Sequence, residues 1–547
     1  MAFLDFTTDG KKLLLTCDKR EAYKAKAVSG YKWNAELKAW EYPLNIDNYT
    51  LIRQEFRHLK GSEAVRDWVL EERRKEAEKI ERQKANPDSI PLKSELAKKL
   101  FPHQRQGVYF MVHGKLVINS DDMGLGKTLQ AIAACEELEA KNILVVCPNN
   151  LKFNWQDEFM FWVNKESNVW TQRKSDREKF GQDGINIINY EAVWKRQKRK
   201  KVPPMLEKLD REWDVIIFDE AHRLKNRKAN HTVVCKKLES DNKFLLTGTP
   251  IENRPDELFS LLQTLFPKRF TSYWRFVENW CEIDEIPTPQ GKTVRVPKGC
   301  KNPQGLHRLL KPHMIRRKKE EVLKDLPGKV YKKIPVELYP ADRKIYDKLG
   351  EEFIAELPDT GEIVIVPSLL ALRTRWRQVA ISHKLLDTDK SPEKIKSAKI
   401  DCLMELLEDN LENHKIVVFS AFRSAIELIA SLLKKKGIKY VEYHGGIKEE
   451  QRQINKNLFQ TDETTRVFLG TIKAAGTGLT LTAADVAIFL DKENNPALNA
   501  QAVDRLVRIG QKKLVNIWEI TVKNSIEEKI EKMLKSKIEI NTAILDG

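Results

Sequence analysis

No apolar run in this 547-residue chain approaches the length of a membrane span, and its opening, MAFLDFTTDG, lacks the basic start and apolar stretch of a signal peptide. Cysteine is scarce. The seven cysteines, at 17, 135, 147, 235, 281, 300 and 402, form no CxxC pair. That spacing argues against a zinc site or a disulfide framework and for a reducing cytoplasm. Long low-complexity segments are absent as well, and no repeat appears beyond a doubled α/β pattern.

What the chain has in excess is positive charge. Charged residues make up 32% and hydrophobic ones 41%, the formal net charge is +17, and the pI is near 9.2. In a large protein such a balance points to a polyanionic partner, with nucleic acid the leading candidate. The length exceeds what one core can serve, so three or four units are expected.

Aromatics crowd the start. GYKWNAELKAWEYPL (30–44) and YTLIRQEF (49–56) read as short strands followed by a helix. Trp33, Trp40 and Tyr42 are either core or functional residues there. The interleaved charges of 63–91 read as an exposed helix that Asn86-Pro87 ends. From about 96 to 265, KLVINS, NILVVCP, INIINY, WDVIIFDE and KFLLTGTP alternate with helical text. KIVVFS, KYVEYHG, RVFLGT, VAIFLD and VNIWEI repeat the pattern after 415. Continuous apolar strands between helices imply parallel sheets buried on both faces, so the fold class is α/β.

The stretch DDMGLGKTLQ (121–130) lies between the strand KLVINS and a helical segment. A Gly-rich turn in that position aims backbone N–H groups and a helix N-terminus at an anion. Lys127 would meet β- and γ-phosphates and Thr128 would ligate Mg²⁺. Gly124 and Gly126 would let the backbone approach closely. The usual loop begins with glycine five residues before Gly126, where this chain has Asp121. About ninety residues on, a strand delivers Asp219 and Glu220, suited to binding Mg²⁺ and to orienting the attacking water. LLTGTP (245–250) is either a γ-phosphate sensor or a structural turn. In QAVDRLVRIGQ (501–511), Arg505 and Arg508 are expected one helical turn apart, as a charge-stabilising pair or as surface residues.

The order HQRQGVYF, DDMGLGKT, VVCPNNLKFNW, DEAH, LLTGTP, VVFSAF, YHGG, GTGLTLTAAD, DRLVRIGQ resembles the superfamily 2 helicase-like ATPases. LTGTPIEN and IRRKKEEVLKDLPGK (315–329) narrow the resemblance to the SWI/SNF-type branch. GLTLTAAD and the N-terminal tryptophans look like the annealing-helicase (HepA-related) group, in a compact bacterial or phage-type form. The resemblance implies two RecA-like lobes with helical protrusions and ATP with Mg²⁺ between them. Gln104 would read adenine, and Asp122, Met123, Gly124, Leu125, Gly126, Lys127 and Thr128 would line the nucleotide. Thr128 and Asp219 would hold the metal; Lys127, Glu220, Arg505 and Arg508 would serve catalysis.

The same resemblance divides the chain into an aromatic-rich module at 1–58 and a charged linker helix at 59–95. A first lobe follows at 96–328, with a helical insertion at about 266–325, then a helical protrusion at 329–398 and a second lobe at 399–547. The expected partner is double-stranded or branched DNA, with no membrane, for a monomeric protein of the cytoplasm and nucleoid. Arg223, Lys225, Asn226, the rim threonines and the run KRQKRKK (195–201) are candidate DNA contacts. An RNA helicase or a nucleotide-dependent DNA-binding switch is the alternative. Three residues depart from the family spelling: Asp122 for Glu, Asn494 for Trp and Val507 for His.

Overall fold

The computed structural model describes residues 2–28, 30–171, 173–194, 208–287, 293–323, 327–356, 363–365, 368–386, 396–475, 479–508 and 510–546. The run at 195–201 therefore lies outside the described residues, as do 324–326 of IRRKKEEVLKDLPGK and 476–478 of GTGLTLTAAD.

All ten apolar runs form strands, in two fully parallel sheets. The first has seven strands in the order Met314–Ile315, Leu116–Asn119, Asn242–Leu246, Val215–Asp219, Ile143–Cys147, Ile185–Asn189, Ser167–Val169. The second has six: Lys329–Val336, Val515–Val522, Val486–Phe489, Ile416–Ser420, Val467–Thr471, Tyr440–Tyr443. Successive residues face opposite sides of each sheet. Val117, Val145, Ile217 and Phe244 enter one core of the first lobe, while Ile118, Leu144, Ile216 and Leu245 enter the other. In the second lobe Val417, Phe419 and Ala487 point one way and Ile416, Val418 and Ile488 the other. Each such buried Val, Leu, Ile or Phe side chain contributes roughly 1.5–3 kcal/mol over its exposed state. Because the strands run parallel, their carboxyl ends open on one rim of each sheet, where ligands of open α/β sheets bind.

Three expectations need correction. The stretch at 266–325 is not wholly helical. After the helix Tyr273–Trp280 it contains an antiparallel pair, Cys281–Pro287 with Thr293–Cys300, and further on Met314–Ile315, an edge strand of the first sheet. The protrusion does not begin at 329, because Lys329–Val336 pairs along its whole length with Val515–Val522 as an edge of the second sheet. Helices Pro340–Glu352 and Leu369–Ile381 follow and stack Tyr346 on Trp376.

The third correction concerns the N-terminal boundary. Lys32–Asn34, Ala39–Pro43, Lys12–Thr16 and Phe3–Phe6 form an antiparallel sheet, and Lys60–Gly61 adds a parallel fifth strand beyond residue 58. Val65 and Val69 of the next helix, Glu63–Arg82, complete this core. Trp40 and Tyr42 are buried in it, with the Tyr42 hydroxyl donating to the Ala25 carbonyl at 2.7 Å, whereas Trp33 is half exposed and packs on Trp40. The module is tied to the first lobe by Arg269, whose Nη2 donates to Asp47 at 2.7 Å.

Candidate active site

Leu116–Asn119 leads into the loop 120–126 and the helix Lys127–Glu137. Gly126 stands at the helix entry in the left-handed region (φ 77°), and no side chain caps the helix, so its first N–H groups remain available to an anion. A Cβ on Gly126 would come within 2.4 Å of Gln104 Nε2, so a side chain there would displace the Gln104 amide as well as strain the backbone. Lys127 Nζ donates to the carbonyls of Asp121 (2.6 Å) and Asp122 (3.2 Å). Burial pushes its pKa down, while Glu220, Asp121 and Asp219 counteract the shift.

The residue that breaks the generic loop spelling turns out to be structural. Asp121 is fully buried. Its carboxylate accepts from both Nε (2.9 Å) and Nη2 of Arg317, and from Gln130 Nε2 at 3.1 Å. Gln130 also receives Asn119 Nδ2 at 2.9 Å and donates to the Leu125 carbonyl at 3.1 Å. A carboxylate with several charge-assisted bonds to a guanidinium fork holds the loop by its side chain.

Strand Val215–Asp219 delivers the acidic pair. Trp155, from the VVCPNNLKFNW motif, donates Nε1–H to Asp219 Oδ2 at 2.9 Å, and the Tyr190 hydroxyl donates to the Asp219 carbonyl at 2.8 Å. Burial and the neighbouring Glu220 push the Asp219 carboxyl above its usual range. Glu220 adopts left-handed backbone (φ 49°), a strained state for a side-chain-bearing residue that tends to occur at functional sites. Burial would raise its carboxyl, but His222 at 3.3 Å, together with the charges of Lys127 and Arg505, holds it below the carboxylate range. His222 Nδ1 also lies 3.2 Å from Thr247 Oγ1, which joins DEAH to LLTGTP.

Arg505 and Arg508 do not share a helix. Pro496–Val503 ends before them, and Arg505 and Leu506 close tight turns on the carbonyls of Ala502 and Val503. Arg505 is 4% exposed and reaches across the lobes to Met123 Sδ at 3.9 Å. Arg508 Nη1 donates to Thr480 Oγ1 at 3.1 Å, and burial beside Arg505 pushes its guanidinium down to about 10.

The other expected residues fall on the same rim in different roles. Gln104 has both ends of its amide engaged: Nε2 with the Leu125 carbonyl (3.4 Å) and Oε1 with the Phe101 N–H (3.1 Å). The Leu125 side chain is buried, so only its backbone belongs to the loop surface. Gly124 is exposed, and Thr128 lies in the first turn of the helix. Two candidate DNA contacts are committed to carboxylates, Arg223 to Glu191 at 2.8 Å and Lys225 to Glu252.

Four residues to which the motif spelling assigns no task are those of the run RRKK. Arg316 Nε donates to Asp546 at 2.8 Å, and its Nη1 to the carbonyls of Ser120 (3.3 Å) and Gly248 (3.2 Å). Arg317 holds Asp121, and Lys318 pairs with Asp546 at 2.9 Å. Lys319 reaches Asp504 of the second lobe at 3.0 Å. Four consecutive cations directly after a buried strand are the signal that could have flagged them.

The SNF2-related domain family matches residues 103–401, and the helicase conserved C-terminal domain family matches 398–510. The DNA annealing helicase and endonuclease ZRANB3 of Mus musculus is 30% identical over 468 residues, which cover 83% of this chain and 42% of that protein. An uncharacterized ATP-dependent helicase of Mycoplasma pneumoniae is 29% identical, covering 84% of this chain and 44% of its own length. The Sulfolobus solfataricus SWI2/SNF2 ATPase core in complex with dsDNA is 26% identical, covering 83% of this chain and 94% of its own, with a TM-score of 0.37. The chain spans less than half the length of the two curated relatives.

Proposed function

The chain belongs to the SNF2-related family of helicase-like ATPases, and from that premise we propose that it is a DNA-dependent ATPase. It hydrolyses ATP to ADP and phosphate and uses the relative motion of its lobes to translocate on, or remodel, double-stranded or branched DNA. Annealing or fork remodelling is the use that the name of the mouse relative suggests. The observation that carries the reading is Arg505, a second-lobe cation lying against Met123 of the first-lobe phosphate loop.

The residues present suit a magnesium nucleotide. The uncapped helix start and Lys127 offer donors to the phosphates, and Asp219 and Thr128 offer oxygen ligands of the kind Mg²⁺ prefers. When bound, Mg²⁺ would neutralise charge developing on the phosphate oxygens. Glu220, held ionised, orients and polarises the attacking water. Arg505 and Arg508 bring positive charge from the opposing lobe to the phosphoryl oxygens as charge develops there. Both arginines are already desolvated, so they need little reorganisation to do so. Gln104 would read adenine by giving up its bond to the Leu125 carbonyl.

ATP turnover with and without duplex DNA tests the proposal. A rate that DNA leaves unchanged would remove the motor reading.

A further inference from the structure

Lys319 occupies a place that the assigned chemistry does not use. It is the first residue of the short helix Lys319–Val322, and its side chain is only 8% exposed. Its backbone N–H donates to Asp122 Oδ2 at 3.1 Å. Its Nζ crosses to the second lobe and donates to Asp504 Oδ1 at 3.0 Å and to the Val507 carbonyl at 3.0 Å. A Cβ built on Gly124 would lie 3.4 Å from Lys319 Cε, so the stem runs directly over the phosphate loop. One residue thus touches the loop by its backbone and stem, and holds the chain on both sides of Arg505 by its ammonium.

The electrostatics make this position specific. Asp504 attracts the ammonium, whereas Arg508 and Lys329 repel it, and burial disfavours its charge. A lysine kept among like charges in a desolvated seam needs the acceptors that face it, because an uncompensated buried charge is costly. Val507 supplies its carbonyl to Lys319 rather than its side chain, so the departure from histidine at this position leaves the contact intact.

We propose that Lys319 is a positioning residue that fixes the arginine segment 504–508 of the second lobe against the phosphate loop of the first. The inference rests on the reading of Arg505 and Arg508 as charge-stabilising groups. Lys319 itself does not approach the reacting atoms; it sets where the arginines stand when the lobes meet.

The test combines kinetics with hydrogen exchange on the full chain. Lys319→Met should lower DNA-stimulated kcat on the order of 10–100-fold, as misplacement of a catalytic group does. KM for ATP should stay within about threefold, because the phosphate-binding groups are untouched. Asp504→Asn should reproduce the effect, and the double variant should lose little more than either alone, since both changes remove one contact. Amides of 504–508 should exchange faster in both variants than in the parent chain. Wild-type kcat in Lys319→Met, strictly additive losses, or unchanged exchange at 504–508 would each overturn the proposal. If the parent chain shows no DNA-stimulated turnover, the functional reading fails by itself, and the exchange data still decide whether Lys319 holds the segment.

Discussion

At the scale of single residues, the most informative feature is the pair Asp121–Arg317. A glycine at 121 would restore the generic phosphate-loop spelling, yet it would leave a guanidinium that is 12% exposed without its carboxylate. Removing one partner of a buried pair costs about 3–5 kcal/mol. Asp121→Gly is therefore expected to destabilise the first lobe by roughly 3 kcal/mol in a denaturant titration, more than the isosteric Asp121→Asn. Unchanged stability in Asp121→Gly would show that the pair holds nothing. The catalytic assignments make separate demands. Lys127→Ala should abolish hydrolysis, and Glu220→Gln should block turnover while a fluorescent ATP analogue still binds. A normal rate in either variant removes that residue from its role.

At the scale of elements, the helix Ile526–Leu545 joins the two halves. It starts beside the second sheet, where the Ile526 N–H donates to the Tyr346 hydroxyl at 2.6 Å. It ends with Ile544 and Leu545 buried in a core of the first lobe, and the Ile544 carbonyl lies 3.0 Å from His307 Nδ1. Ile544→Ala should cost about 2–4 kcal/mol by leaving a cavity. The loss should appear as faster hydrogen exchange in Pro303–Leu310 of the opposite lobe, and exchange confined to the mutated helix would contradict the crossing.

Most strands that the sequence made legible are buried on both faces, because burial selects unbroken apolar text; Tyr440–Tyr443 and Val515–Val522 alternate buried with half-buried residues instead. Ser167–Val169 and Met314–Ile315 are too short to show a period. Lys329–Val336 is an edge strand with mostly exposed side chains, so KVYKKIPV carries no unbroken apolar run and falls within the helical protrusion expected at 329–398. In the candidate site, motif spelling singled out Lys127, Asp219 and Glu220 of the first lobe and Arg505 of the second. It could not reveal that Asp121 pairs with a residue 196 positions away, or that Arg505 and Arg508 follow a helix rather than ride on one. Long-range pairing and helix termination depend on tertiary contacts that no local window contains.

At the scale of the whole molecule, the excess of positive charge has a measurable consequence. If duplex DNA is held through its phosphates, affinity should fall linearly with the logarithm of salt concentration, by about 10³ or more between 50 and 200 mM for six or more contacts. A flat salt response would mean that the charge serves something other than DNA. The N-terminal module must be removed with care in any dissection. A cut at 58 strips Lys60–Gly61 of its partner strand, exposes Val65 and Val69, and leaves Arg269 without Asp47.

The central claim is that the nucleotide site between the lobes is driven by DNA. It is tested most directly by the steady-state ATPase rate of the full chain against single-stranded, duplex and forked DNA and against RNA. Duplex or forked DNA should raise the rate well above the level without nucleic acid, and chelation of Mg²⁺ should remove it. A rate indifferent to DNA, or raised by RNA alone, would contradict the account.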